Sequence, residues 1–201
     1  NDDIEGTYNL TRDVPVNLSQ DQEDTSQEQQ LLLNGISLTK DIIRSVYRGE
    51  DNYTYEILLY ILAVNDDENN LYKGYFPFDE DKGGFIFPLN KSNEVLIQVF
   101  GEKEYSFEDV FDYNEESDIY YKNLDFGWNT GYIAENVTAD ISDDKSKLYT
   151  KFELINLWYD VGGDPVPTAI AECKITYSIN KNNDKIYLQF ENMKIEKKLV
   201  N

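Results

Sequence analysis

The order of hydrophobic patterns along the 201 residues predicts an α+β fold, with N-terminal helices packed on one face of a curved antiparallel sheet. Two observations carry this. Apolar residues at 42, 43, 46 and 47 fall on one face at the helical period. Ala169, Ala171, Cys173, Ile175, Tyr177 and Ile179 alternate with Glu172, Lys174, Thr176 and Ser178. That period of two marks an antiparallel strand with one buried and one solvated side. Helical signals come first and strand signals last, which separates α+β from an alternating α/β fold.

Residues 1–30 read as an acidic tether, disordered or extended. The run Ser19–Gln30 has no apolar residue, so burial cannot offset its ordering entropy. The rest, 31–201, reads as one α+β domain. In its first helix, Ser37 or Thr39 is placed to cap the start and Gly49 to end it. The apolar face extends back through Leu31, Leu32 and Leu33, with Gly35 as an interruption. Tyr53–Val64 is nearly continuously apolar and predicts a buried helix, with a buried strand as the rival reading.

An extended aromatic stretch follows from Leu71 to Phe78. A turn at 79–84 and the segment Phe85–Pro88 complete a hairpin. Asn90 is placed to cap a short helix with apolar positions 95, 96, 99 and 100, ended by Gly101. The acidic middle reads as loops, with a further short helix around 107–111. Leu148, Phe152 and Leu154 predict one late strand, and Ile186, Leu188 and Phe190 the last. Asn180–Asp184 is the hairpin turn before it. The alternation changes phase between Phe190 and Met193, which predicts a β-bulge at Glu191-Asn192. This layout is similar to cystatin-like and NTF2-like architectures.

Composition excludes much. The chain has no histidine and one cysteine, so neither a Ser-His-Asp nor a Cys-His arrangement can be built, nor a His-ligated metal site. The sequence predicts no metal and no cofactor. Cys173 lies on the inward face of its strand and reads as an inert core residue. The net charge is −21, which repels nucleic acid and anionic membranes. The charge is uneven: residues 99–144 hold thirteen acids against two bases, and residues 145–201 seven against nine. No apolar run approaches the ~18 residues of a membrane helix. Membrane association is therefore expected only through an anchor outside this chain. The start at Asn1-Asp2-Asp3 predicts removal of an upstream segment.

Tyr75-Phe76-Pro77 and the run Phe87-Pro88-Leu89 to Val99-Phe100-Gly101 resemble uncharacterised lipoprotein ectodomains of low-GC Gram-positive bacteria. In these a Pro-initiated helix ends in Phe-Gly ahead of acidic loops and a Tyr-rich antiparallel sheet. The resemblance implies a secreted or surface-anchored protein of unassigned ligand and supplies no catalytic residue.

Candidate chemistry is sparse. Asp79–Gly84 has carboxylates at spacing two, but Gly83 stands where an EF-hand needs an oxygen ligand and Asn90 where it needs a Glu. It reads as a solvated turn, as does the group Asp140, Asp143 and Asp144. Asp125-Phe126-Gly127 matches the kinase triplet without the other kinase motifs. The residues 161–167 read as a strand connection. The aromatic region offers the best ligand site: Tyr121, Asp125, Trp128, Tyr132 and Trp158, rings that can stack on a sugar beside groups that can bond its hydroxyls. The alternative is packing at the edge of the core. No catalytic residue is assigned. The expectation is a non-enzymatic binding domain with a glycan or protein partner. A carboxylate-dependent hydrolase on cell-wall or glycan substrates is the alternative, since it needs two acids and no histidine.

Overall fold

The computed structural model describes residues 20–49, 52–108, 110–116, 119–123, 131–158, 166–182 and 185–200. Three α-helices and two four-stranded antiparallel sheets make up the regular structure of these residues. Helix α1 spans Gln20–Ser45. A 3-10 turn at Tyr55–Ile57 leads into α2, Leu58–Val64. Strands β1 (Phe78–Asp79) and β2 (Gly84–Pro88) precede α3, Leu89–Phe100. Then come β3 (Asp112–Asn114), β4 (Ile119–Asn123), β5 (Tyr132–Ile141), β6 (Lys147–Asn156), β7 (Thr168–Asn182) and β8 (Lys185–Lys198). The small sheet has the order β1-β2-β4-β3, and the large one is the meander β5-β6-β7-β8.

The α+β class is as the sequence predicts, but the single curved sheet is corrected to two. The acidic middle, read as loops, contains β3, β4 and β5. Residues 107–111 form a turn closed by the Val110 and Phe111 N–H groups on the Phe107 carbonyl, not a helix. Leu71–Phe76 is a series of turns rather than an extended stretch, although Phe78 and Phe85 do pair across the β1–β2 hairpin.

The tether reading is corrected from Gln20 onward, where the chain is helical. Gln and Glu are good helix formers, and the helix runs on through Leu31 and Leu32, which pack against the core. Glu28 pairs with Lys145, and Gln30 donates to Asn69 Oδ1 at 3.2 Å, so this end is tied to the body. Residues 1–19 lie outside the described residues.

Ser37 and Thr39 sit inside α1 and cap nothing. Thr39 Oγ1 lies 2.8 Å from both Thr150 Oγ1 and the Tyr177 hydroxyl, all three fully buried. This polar node joins the helix to β6 and β7. Gly35 is no interruption either. A Cβ there would stand 2.6 Å from Leu148 Cδ2, so the missing side chain is what lets α1 lie close on β6.

The helix predicted at 95–100 is α3. Its Val95, Leu96, Val99 and Phe100 are buried, and Gly101 (φ +80°) ends it. Pro88, rather than Asn90, is the residue before its first turn. On β7, Ala171, Cys173, Ile175 and Tyr177 are buried as the alternation predicts. Thr176 pairs with Asn192 and Tyr177 with Phe190, which leaves Glu191 as the extra residue of the predicted bulge. One hydrophobic core runs from α1 and α2 through α3 to the inner face of β6 and β7. No described helix is long and apolar enough to cross a membrane.

Candidate functional site

Helix periodicity builds one wall of a cleft. On α1, Leu38, Ile42, Ile43 and Val46 turn to the core. The neighbouring stripe Ser37, Lys40, Asp41 and Arg44 has the spacing i, i+3, i+4, i+7 and shares a second face. Opposite it stand Tyr60, Ile61 and Val64 of α2 and the turn Asn65-Asp66-Asp67. Between them lies an open cleft of about 560 Å³.

The turn is held rigidly. Asn65 caps α2 by donating its N–H to the Ile61 carbonyl at 2.9 Å. Its side-chain oxygen accepts the Asp67 N–H, and Asp67 Oδ1 accepts the Asn69 N–H, both at 2.9 Å. The Asn70 amide donates to the Leu62 and Asn65 carbonyls at 2.8 and 2.9 Å. Side chains of the Asx type replace regular backbone pairing through this segment.

Asp41 is the unusual group. It is only 7% exposed, and both of its oxygens accept from Asn65 Nδ2, at 3.0 and 2.9 Å. Burial raises its pKa to about 6, the Asn65 hydrogen bonds oppose the rise, and nearby Asp67 adds to it. Asp67 is shifted the other way. The Asn69 backbone N–H lowers it most, helped by the Asn69 amide and the Ser37 hydroxyl. Lys40 and Arg44 are exposed and take part in no salt bridge among the described residues. Ser37 Oγ is buried beside Asp67. Two cations and a buried carboxylate thus line one cavity. Such a set can grip a small ligand that carries charges of both signs.

No protein family, curated protein or solved structure matches this chain.

The aromatic residues singled out in the sequence are dispersed. Tyr121 lies on β4 of the small sheet, with the Lys82 ammonium 3.8 Å above its ring. Tyr132 starts β5, half-buried, its ring edge-on to Tyr47 at 5.1 Å. Trp158 is 50% exposed and covers Gly131, so it and Tyr132 share one end of the large sheet. Tyr121 belongs to the other sheet. Asp125 and Trp128 lie outside the described residues, as does most of the 161–167 connection.

The acidic turns are self-contained. Asp79 Oδ1 accepts the N–H groups of Asp81 and Lys82. Asp144 Oδ1 accepts from Ser142 Oγ and from both Ser146 groups, which draw its pKa down to about 2. Among the described residues no three acidic or sulfur groups stand together as metal ligands.

Sequence reasoning missed the cleft. The stripe 37/40/41/44 is present in the helical pattern, but its other wall arrives from residues 60–67 only through tertiary packing.

Proposed function

We propose that this chain is a non-enzymatic binding domain whose ligand site is the cleft between α1 and the end of α2. One observation carries the reading. A buried carboxylate paired only with a neutral amide lines an open cavity that also holds two cations without ion-pair partners among the described residues. A neutral amide leaves the carboxylate's charge uncompensated, and a ligand's ammonium is one way to pair it. The matching ligand is a zwitterion of amino-acid or dipeptide size. Its anionic end lies at Lys40 and Arg44, and its ammonium at Asp41. Calorimetric titration with the dipeptide Ala-Ala and a panel of free amino acids tests this. At least one should bind the wild-type chain, and Arg44→Ala should weaken it about tenfold or more. Absence of binding at millimolar ligand, or equal binding by Arg44→Ala, overturns the proposal.

A setting outside the cytoplasm is part of the same proposal, with the acidic leader ahead of α1 as the connection to the surface. It is supported by the acidic composition and by the resemblance over residues 75–101. Fractionation of cells making the full-length protein should recover it at the surface or in the medium. Recovery from cytosol contradicts this.

The opposed shifts of Asp41 and Asp67 favour one second reading, the carboxylate-dependent hydrolase. Asp41 would serve as the acid and Asp67 as the ionised partner, since environments that separate two acid pKa values also separate their roles. Release of reducing ends from cell-wall glycan, abolished in Asp41→Asn, would establish it. Activity retained in that variant would end it.

A further inference from the structure

A second cavity shares no residue with the α1–α2 cleft. It has a volume of about 410 Å³ and lies where α3 meets the 71–76 turns and the β7–β8 end of the large sheet. Three tyrosines line it. Tyr72 is buried, while Tyr75 and Tyr187 are half-exposed. The Tyr72 and Tyr75 hydroxyls and the polar face of α3 form a connected chain. The Tyr72 hydroxyl donates to Gln98 Oε1 at 3.1 Å, and Gln98 Nε2 donates to Glu94 Oε1 at 3.2 Å. The Tyr75 hydroxyl donates to Glu94 Oε2 at 3.3 Å. Glu94 and Gln98 are one helical turn apart, so α3 presents both to the groove.

The Tyr75 ring is fixed in place. It stands edge-on to Tyr72 at 6.1 Å and to Phe76 at 5.2 Å. A fixed ring loses little entropy when it takes a ligand. Glu94 accepts one bond at each oxygen, which leaves lone pairs for donors from a ligand. Asn182 adds an amide at the opposite rim.

We propose that this groove is a saccharide-binding subsite for neutral pyranose units. The chemistry separates this ligand from others. Tyrosine rings offer flat apolar faces to the C–H side of a sugar, and the carboxylate and amides bond its hydroxyls. Lys185 in the lining and Lys91, 5.1 Å from the Tyr75 ring centre, offset the Glu94 charge locally, so the groove is near neutral and fits an uncharged sugar within a chain of net charge −21. A purely apolar ligand would strand the Glu94 carboxylate and the Gln98 amide.

The test is an amide NMR titration with chitotriose and, separately, with maltotriose. The two arms tell an N-acetylated from a plain glucose polymer. Binding of either should move the resonances of Tyr75, Glu94, Gln98 and Tyr187, and leave those of Ser37 and Asp41 in place. Tyr75→Ala should weaken binding about tenfold or more, the effect of losing one central ring. Tyr75 also packs on Tyr72 and Phe76, so Glu94→Ala, at an exposed site on α3, is the second variant. It should weaken binding at an unchanged melting temperature. No response to either sugar, or responses that map elsewhere, overturns the proposal. So does equal affinity in Glu94→Ala.

Discussion

The Asn65 side-chain amide donates to both carboxylate oxygens of Asp41, at 3.0 and 2.9 Å. A neutral amide, not a cation, is therefore the direct partner of an acid that is 7% exposed. It satisfies the carboxylate's geometry but not its charge, so desolvation wins and the pKa rises to about 6.

The rise sets a sign for the pH dependence. An acid whose folded pKa exceeds its unfolded value holds its proton more tightly when folded. Its contribution is fully present below about pH 4 and is lost as the pH rises through about 6. At neutral pH the ionised, buried Asp41 costs about 3 kcal/mol. Asp41→Asn keeps the shape and can still accept from Asn65. It should raise stability in urea melts at pH 7.5 by up to about 3 kcal/mol and give little gain at pH 3.5. A gain independent of pH contradicts the assignment.

Thr39 sits at the centre of its polar node and Tyr177 at the edge, so their removal should cost unequal amounts. Tyr177→Phe leaves the Thr39–Thr150 bond and should cost about 1 kcal/mol. Thr39→Val strands two buried hydroxyls and should cost about 2–3 kcal/mol. Equal losses in denaturant melts would mean that the node is not joined through Thr39.

Gly35 allows the close approach of α1 to β6. Alanine is the better helix former by about 1 kcal/mol, yet its methyl would overlap Leu148, which is fully buried. Overpacking of this kind costs about 1–3 kcal/mol. Gly35→Ala should therefore destabilise, and the same change in a Leu148→Ala background should destabilise less. Additive effects in the double-mutant cycle would contradict the contact.

Cys173 is 1% exposed, opposite Phe152 and Ile195 in the sheet. Burial, with a smaller contribution from Glu196, pushes its thiol up to about 12. Iodoacetamide should leave it unmodified in the native chain and label it fully in denaturant, as intact-mass measurement would show. Rapid native labelling would place the thiol at the surface.

The strands that alternate strongly are legible in the sequence. Six alternating apolar residues from Ala169 to Ile179 leave little choice of face, and the phase change at Glu191 marks the bulge through hydrophobic pattern alone. Strand β5 is hidden for the opposite reason. Its inward residues include the small Ala134 and Ala139 among acids, and the register shifts at Asn136, whose φ is +52°. The second sheet escapes the pattern because its strands are short and two of them, β3 and β4, lie among acidic residues. Gly35 reads as a helix breaker unless the neighbouring strand is known. Asp41 reads as an ordinary surface acid until Asn65, a residue of another element, is brought against it.

A binding site built around Asp41 is tested by the carboxyl carbon shift of that residue, followed by NMR from pH 3 to 9 with and without a zwitterionic ligand such as Ala-Ala. The free protein should titrate at about 6. A bound ammonium beside the carboxylate should move that midpoint down, since an opposite charge favours the ionised form. A midpoint near that of an ordinary surface carboxylate in the free protein, or one that saturating ligand leaves unmoved, would contradict such a site.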